Sequence, residues 1–253
     1  MLDEPYRWVE AIRNRREYLE DQLKSASPVV GSVYEDGILL LTTTPGPRKL
    51  FEIYNQVAFA AIGHPADIEK LRKAVIDIAH VEAFNLSARD VSLQRLVSFG
   101  IGPLMKTAFD EIFHSPFIAR VLVAELDAGA GRENFYTVDA DGSFAASGAA
   151  AAVAGTAESR DAMARHAAAG SEAPGLDEAL QRALECWAVG RLYGEPGRTG
   201  EPDSGEISES VSQALDGGQR IEAAVLDRTL PTKSKFRLLP PADLEEALGR
   251  FGK

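Results

Sequence analysis

The segment Ser27–Thr43, SPVVGSVYEDGILLLTT, contains two apolar runs on either side of a tight turn. Asp36-Gly37 marks the turn, because glycine tolerates positive φ and Asp-Gly between apolar runs is a strong hairpin signal. A second apolar pair follows at Lys49–Gly63, KLFEIYNQVAFAAIG, after the Pro-Gly-Pro break at residues 45–47. Nearly every position of this second pair is apolar, so both faces of its strands are expected to be covered.

Two long helices are predicted after these strands. Apolar residues recur at helical spacing over about residues 68–79 and again from Leu93 to Ile112. Gly100, Gly102 and Pro103 lie inside the second stretch, where glycine and proline disturb the helical hydrogen-bond ladder. We therefore expect the second helix to be kinked or split at these residues.

The remaining predicted elements also occur in runs. A helix is predicted from about Pro5 to Lys24, ahead of the strands. Strands return between Phe117 and Ala154, and two further helices fit residues 157–169 and 176–189. Segregated runs of strands and helices are typical of a layered α+β domain and not of alternating βαβ units.

Composition and charge exclude several classes of protein. The 253 residues include 27 Lys plus Arg and 38 Asp plus Glu, and the net charge of −11 argues against a nucleic-acid binder. A single cysteine, Cys186, excludes a disulfide framework and a zinc site built from cysteines. No apolar run reaches the roughly 18 residues of a membrane span, and the polar N-terminus lacks the apolar core of a signal peptide. We expect a cytoplasmic protein that binds neither nucleic acid nor membrane.

The composition changes near residue 194. Residues 194–218 are rich in glycine, proline, serine and acidic residues. Such a segment has little apolar surface to bury, so the composition predicts a flexible acidic linker. A strand and a short helix are then expected within residues 219–253. The predicted organisation is an N-terminal segment and helix at residues 1–24, a core at residues 25–193, the linker, and this C-terminal part.

Motifs of known catalytic chemistry are missing from the sequence. It contains no Gly-rich phosphate loop, no Gly-x-Ser-x-Gly and no His-Glu-x-x-His. The four histidines lack the close spacing of metal ligands, so neither a metal nor a cofactor is predicted. Lys49 stands out because it opens an apolar strand directly after the proline-rich turn. It either protects the edge of a sheet or holds a point charge at the rim of a pocket.

The predicted N-terminal helix has a narrow apolar face. Its members recur at helical spacings: Trp8, Val9, Ile12, Leu19 and Leu23. Arg15 and Arg16 interrupt the stripe. A face this narrow suits contact with a partner surface as well as packing on the chain's own domain.

The order of these segments resembles the proteasome subunit family. In that family a Val-x-Gly strand leads to an Asp-Gly turn and an apolar strand, and a Lys-led strand and a strand ending in Ala-x-x-Gly follow. FYTVDADGS at residues 135–143 and VAGT at residues 153–156 extend the resemblance, which covers about residues 5–190. The stretch from Ile221 to Leu248 is similar to the tail of actinobacterial alpha subunits. The resemblance implies the family fold, an α+β four-layer αββα sandwich of the N-terminal nucleophile hydrolase type.

The resemblance also bears on catalysis. Catalytic beta subunits of the family use an N-terminal threonine whose own amine is the base, with an aspartate and a lysine nearby. Ser27, Thr43 and Lys49 stand at the positions of the threonine, the aspartate and the lysine, and Ala154 stands at that of a later serine. Since the nucleophile is neither threonine nor terminal and the aspartate is lost, the resemblance implies a non-catalytic alpha subunit with no catalytic residue.

A subunit of this kind has a defined set of partners in the family. The resemblance implies a heptameric outer ring of the 20S particle that templates the beta ring, gates entry to protein degradation and docks activators. The implied activators are a ring ATPase that unfolds pupylated proteins and an ATP-independent ring activator. Lys49 matches the lysine that takes the C-terminal carboxylate of an activator. The gate is expected at Met1, Leu2, Asp3 and Glu4, and the ring-packing residues are expected to be Trp8, Ile12, Leu19 and Leu23.

Two alternatives stay open on the sequence. An autoprocessed hydrolase would use Ser27 as its N-terminal nucleophile after cleavage of the preceding bond, and an intact N-terminus would exclude it. A proteasome-like ring would act as a scaffold only, and purification without a beta subunit would favour that alternative.

Overall fold

Two five-stranded antiparallel sheets form the centre of the molecule. The structure is a computed structural model that describes residues 4–87, 91–111, 113–126, 133–167, 173–195, 197–198 and 200–251, with the backbone alone at residues 4–7, 133 and 134. Helices lie outside both sheets, so the described residues have four layers in the order helix, sheet, sheet, helix. The predicted α+β sandwich is confirmed.

The first sheet has the strand order β10-β9-β2-β1-β8. Its members are β1 (Val29–Tyr34), β2 (Gly37–Thr44), β8 (Ala150–Val153), β9 (Arg220–Asp227) and β10 (Phe236–Leu238). The predicted hairpin joins β1 to β2, with Tyr34 opposite Gly37. All eight residues of β2 are buried, because one face of the strand meets the second sheet and the other meets the outer helices.

The second sheet has the strand order β3-β4-β5-β6-β7. Its members are β3 (Leu50–Tyr54), β4 (Val57–Gly63), β5 (Ala119–Leu126), β6 (Glu133–Val138) and β7 (Phe144–Ser147). The predicted second hairpin is the β3–β4 pair, with Leu50 opposite Ala60. A core of apolar side chains from β1, β2, β4, β5 and β9 fills the space between the two sheets.

The outer helices fall into two groups. The helix α1 (Glu4–Leu23) precedes the sheets, and α2 (Pro65–Asn85), α3 (Leu93–Arg95) and α4 (Gly102–Asp110) lie on the side of the second sheet. The first sheet is covered by α5 (Ala157–Ala167), α6 (Leu176–Tyr193), α7 (Ser204–Asp216), a 3₁₀ turn (Pro241–Leu244) and α8 (Glu245–Gly249). Of the helices in the described residues, none combines the length and the apolarity of a membrane span.

A π-helical turn at Leu96–Ile101 separates α3 from α4. It accounts for the predicted disturbance of this helix. Gly102 begins α4 directly after the turn and lies against the β6–β7 turn, where Gly142 has φ of +82°. A Cβ atom on Gly142 would lie 2.6 Å from the Gly102 carbonyl oxygen, so this close approach requires glycine.

The prediction of a flexible linker at residues 194–218 is wrong. Most of this segment forms α7, which begins with a capping box between Asp203 and Glu206. Arg198 also binds Glu206 through two hydrogen bonds of 2.9 and 2.7 Å, which fold the preceding loop back onto the helix. The inward face of α7 packs on α6 through small and medium side chains: Ile207, Ser210, Val211 and Ala214. The composition of residues 194–218 suggested a linker because it is poor in apolar residues. These four side chains, at helical spacing, are nevertheless enough to bury one face of α7.

The C-terminal part is also not a separate unit. The strand β9 pairs with β2 along its full length, from Gly37 opposite Asp227 to Thr44 opposite Arg220. Residues 219–253 were predicted as a unit apart from the core at residues 25–193, but β9 is an interior strand of the first sheet. The two ranges therefore form one sheet.

Two of the predicted ring-packing residues are buried inside the chain. Leu19 is 3% exposed and Leu23 is 0% exposed, and both belong to the core between the sheets. Ile12 is half-buried against the same core, whereas Trp8 is 47% exposed. Leu19 and Leu23 are therefore core residues and not ring-packing residues. The apolar stripe of α1 faces the chain's own core at the C-terminal end of the helix and is exposed at its N-terminal end.

We predict that α7 resists proteolysis. A Glu-specific protease should cleave after Glu206 and Glu209 far more slowly in the native chain than in the chain unfolded in urea, because cleavage requires the helix to open. Asp203→Ala removes the cap, which costs about 0.5–2 kcal/mol, and should speed cleavage several-fold. Ser204→Ala, an exposed change at the next residue, is the matched control. Equal cleavage rates for the native and the unfolded chain would contradict this prediction and support a flexible linker.

Candidate functional site

The fold brings Ser27, Thr43 and Lys49 together at one end of the sandwich. Ser27 precedes β1, Thr43 lies near the end of β2, and Lys49 precedes β3. The Ser27 and Thr43 hydroxyl oxygens are 2.9 Å apart. The Lys49 ammonium lies 3.3 Å from the Ser27 carbonyl oxygen and 3.2 Å from that of Thr43. The three residues that the sequence analysis placed at family positions are thus neighbours.

Trp187, Ser27, Thr43 and Gln219 form a chain of hydrogen bonds, here called the serine network. The Trp187 indole N–H donates to Ser27 Oγ at 3.0 Å, and Thr43 Oγ1 donates to Gln219 Oε1. Since the Thr43 proton is committed to Gln219, the Ser27 hydroxyl donates to Thr43 Oγ1. The network ends on an amide oxygen, which is not a base, so nothing in it can take the proton from Ser27.

Ser27 also lacks the free amine of an N-terminal nucleophile. Residues 24–26 connect it to α1, whose last residue, Leu23, is buried in the core. Gly155 lies directly against this connection. A Cβ atom on Gly155 would be 2.2 Å from the Leu23 carbonyl oxygen, so the absence of a side chain lets the end of α1 settle between the sheets. The geometry gives no support to the alternative of an autoprocessed Ser27 hydrolase.

Burial governs the electrostatics of Lys49. Removal from water lowers the pKa of its ammonium to about 8, and the charge of Glu222 opposes this shift. The Glu222 carboxylate accepts the backbone N–H groups of Lys49 at 2.9 Å and Leu50 at 3.1 Å. Burial raises the pKa of Glu222, and these two hydrogen bonds oppose that rise. Lys49 is therefore held by backbone carbonyls, and Glu222 by backbone N–H groups.

Comparison with known proteins identifies the family. The sequence model described as "Proteasome subunit" matches residues 23–189, more than half of the chain. The chain belongs to the proteasome subunit family. It is 30% identical over 251 residues to the proteasome subunit alpha of Gordonia bronchialis, covering 96% of this chain and 87% of that protein. The proteasome subunit alpha proteins of Nocardioides sp. and Acidothermus cellulolyticus are each 28% identical, over 95% and 94% of this chain and 87% and 93% of their own lengths.

Membership of the proteasome subunit family is what the resemblance implied. The three residues that the resemblance places at the family's catalytic positions, Ser27, Thr43 and Lys49, lie together here. Ala154, which the resemblance aligns with a later serine of the family, is fully buried and carries no hydroxyl. Within the described residues, no group of three His, Cys, Asp or Glu side chains could hold a metal ion.

Arg120, which the sequence analysis did not single out, binds the backbone next to this site. Arg120 on β5 donates to Asp139 at 2.8 Å and to the carbonyl oxygens of Ala154 and Gly155 at 2.8 and 2.6 Å. Burial of Asp139 raises its pKa, but the charge and hydrogen bond of Arg120 outweigh that effect and the net shift is downward. Arg160 binds the other Asp139 oxygen at 2.6 Å. The sequence feature that could have identified Arg120 is its position as a charged residue inside the apolar run Ala119–Leu126.

A separate pocket opens beside Lys49. Its volume is about 460 Å³, and we call it the proline pocket. It lies between the β2–β3 turn, the end of β4 and the first turns of α2: Thr44, Pro45, Gly46, Pro47, Arg48, Lys49, Phe51, Gly63, Pro65, Ile68 and Glu69. The sequence left open whether Lys49 protects a sheet edge or lies at the rim of a pocket. The structure places Lys49 in this lining while its ammonium turns toward the serine network.

The residues expected to form the gate contribute little to the described structure. Met1, Leu2 and Asp3 lie outside the described residues, and Glu4 is the first residue of α1.

We predict that Ser27 contributes nothing to peptide hydrolysis. The purified chain should leave fluorogenic peptides uncut, because the serine network offers no base and the nitrogen of Ser27 is part of a peptide bond. Ser27→Ala should behave identically. The measurement is peptide turnover by the chain alone, with an active beta-containing particle as the positive control. Peptide turnover that occurs in the wild type and disappears in Ser27→Ala would support the alternative in which Ser27 is the nucleophile of a hydrolase.

We predict a pH dependence of stability that comes from Lys49. Its pKa is about 8 in the folded chain and 10.5 ordinarily, so the unfolded chain binds more protons between these values. The free energy of unfolding of the wild type should therefore increase relative to that of Lys49→Met as the pH rises from about 8 to about 10.5. The difference between the wild type and Lys233→Met, a change at an exposed lysine, should stay constant over this range. Urea unfolding across this range is the measurement, and parallel curves for the wild type and Lys49→Met would contradict the prediction.

Proposed function

We propose that this chain is a non-catalytic alpha-type subunit of a 20S proteasome core particle, working in the cytoplasm. One observation carries the proposal: Ser27, at the nucleophile position, is internal to the chain and donates its proton into a network that ends on the Gln219 amide. The alpha subunits found as relatives support the same assignment over nearly the whole chain. In this proposal the chain forms the outer heptameric ring and templates a beta ring that carries threonine-type peptidase activity.

The start of α1 supports the ring-forming part of the proposal. Arg15 anchors the middle of the helix through hydrogen bonds to the carbonyl oxygens of Ala108 and His114. N-terminal to this anchor, Trp8 and Val9 stay exposed on a helix whose other end is buried. A head-to-tail ring needs a surface on each copy that fits a different surface on the next copy. We assign Trp8, with the half-buried Ile12, to that contact.

The activator-docking part of the proposal rests on the proline pocket. Lys49 is part of its lining, and apolar side chains such as Phe51 and Ile68 form its walls. A cation beside apolar walls can bind the C-terminal residue of another chain, because that residue presents a carboxylate and an apolar side chain together. We propose that a ring ATPase acting on pupylated proteins, and an ATP-independent ring activator, dock here.

Trp8→Ala should impair ring assembly without destabilising the isolated chain. Burial of a large side chain contributes about 1.5–3 kcal/mol of free energy. Because Trp8 is already partly buried in the isolated chain, we expect Trp8→Ala to cost each subunit contact a free energy near the lower of these values. Tyr18→Ala is the matched control, because Tyr18 is also 47% exposed and lies on the same helix about 80° away around its axis. Particle yield with a beta partner, by size-exclusion chromatography and electron microscopy, is the measurement. Equal yields for the two variants would remove Trp8 from the contact.

Deletion of Met1–Glu4 should raise basal peptide entry into the assembled particle. Short polar termini are mobile singly, but seven copies around one axis can close a narrow opening. The test compares basal hydrolysis of a small peptide by particles with full-length and shortened chains. Hydrolysis by isolated beta subunits is the control for the active site. An unchanged basal rate would show that these residues do not form a gate.

A further inference from the structure

A second pocket opens at the serine network, and we call it the serine cleft. It lies between the connection from α1 to β1, the C-terminal half of α6 and the residue before β9, and its lining includes Lys24, Ser27, Trp187, Arg191 and Gln219. It shares no lining residue with the proline pocket. Its volume is about 180 Å³, below the roughly 300–1,000 Å³ of sites for drug-sized ligands. A cleft of this size suits a small ion.

The serine network fixes the direction of the Gln219 amide. The amide oxygen accepts the Thr43 hydroxyl, so the NH₂ group of the same amide is directed away from Thr43. That NH₂ group makes no hydrogen bond with any residue that the structure describes. A residue of the cleft lining therefore offers two N–H donors in a fixed orientation.

The Arg191 guanidinium is held in place at the same cleft. Its Nη1 donates to the Ser210 carbonyl oxygen at 2.6 Å, and its central carbon lies 5.9 Å from the centre of the Trp187 ring. Trp187 is fixed in turn by its hydrogen bond to Ser27. Across the described parts of the chain, the remaining N–H groups of Arg191 have no partner. A guanidinium that is already positioned loses little conformational freedom when it binds an oxyanion.

Positive charge exceeds negative charge around the serine cleft. Of the described residues that line it, Lys24 and Arg191 are cationic and Glu195 alone is acidic. Glu195 is exposed and lies near Arg198, whose pKa is raised mainly by its hydrogen bonds with Glu206 and further by the charge of Glu195. In a chain with a net charge of −11, the cleft thus combines an excess of cations with uncommitted N–H donors.

We propose that the serine cleft binds a small tetrahedral oxyanion such as inorganic phosphate, held by Arg191, the Gln219 NH₂ group and Lys24. Hydrogen bonds between charged donors and an anionic oxygen are stronger than neutral ones, and a tetrahedral anion can accept from three segments at once. The bound anion links the α1–β1 connection to α6 and to the start of β9. This inference goes beyond the proposed function, because it requires neither a ring nor a partner.

The experiment titrates the purified full-length chain with sodium phosphate at neutral pH. Isothermal titration calorimetry gives the affinity, and sodium chloride keeps the ionic strength constant, so that general screening does not change. Gln219→Glu is the sharpest variant, because it keeps the oxygen that accepts from Thr43 and replaces the NH₂ donors with a negative charge. Arg191→Gln removes the guanidinium. Arg182→Gln is the matched control, since it removes the same charge from α6 at an exposed residue that pairs with Glu178 outside the cleft.

The wild type and Arg182→Gln should bind phosphate with equal affinity. Gln219→Glu and Arg191→Gln should each bind it at least about tenfold more weakly, which corresponds to about 1.4 kcal/mol. The midpoint of thermal unfolding should rise with phosphate concentration in the wild type and Arg182→Gln only, because a ligand of the folded state stabilises it. Should Arg191→Gln fail to fold, Gln219→Glu decides the question. No saturable binding to the wild type, or equal affinity of the wild type and Gln219→Glu, would overturn the inference.

Discussion

Burial of Leu23 between the two sheets is the constraint on which the rest of the site depends. Its side chain is 0% exposed, and its carbonyl group lies against Gly155, where a side chain would collide with it. Residues 24–26 connect this buried end of α1 to Ser27 and β1, so the position of Leu23 sets where Ser27 lies. The same burial fixes the direction of α1, so that its first turns extend beyond the core and expose Trp8.

The polar groups at this end of the sandwich are satisfied by one another. The serine network binds the start of β1, the end of β2, α6 and the start of β9 together through Ser27, Thr43, Trp187 and Gln219. Buried polar groups that lose a partner cost about 1–3 kcal/mol each, so a closed network of this kind stabilises the fold. The hydroxyl groups of Ser27 and Thr43 are both engaged in hydrogen bonds within the fold.

Arg48 and Lys49, which directly precede β3, have different surroundings. Lys49 turns inward, where removal from water lowers its pKa, and Arg48 turns to the solvent side of the proline pocket. An arginine suits the exposed position because its guanidinium keeps its charge and presents a planar pair of donors.

The sequence by itself determined the elements whose apolar pattern is strong. The hairpin at Asp36-Gly37 and the periodic helix α2 follow from local turn chemistry and side-chain spacing, and the segregated order of elements indicated the layered α+β class. It also placed Ser27, Thr43 and Lys49 at one site, through the family resemblance.

Only the tertiary structure decided that α7 is a helix, that β9 is an interior strand, and that Leu19 and Leu23 face inward. The hydrogen-bond directions in the serine network and the contacts of Arg120 were likewise invisible in the sequence. The physical reason is that burial and hydrogen-bond partners come from segments as far apart as Thr43 and Gln219, whereas a sequence pattern reports only neighbours along the chain.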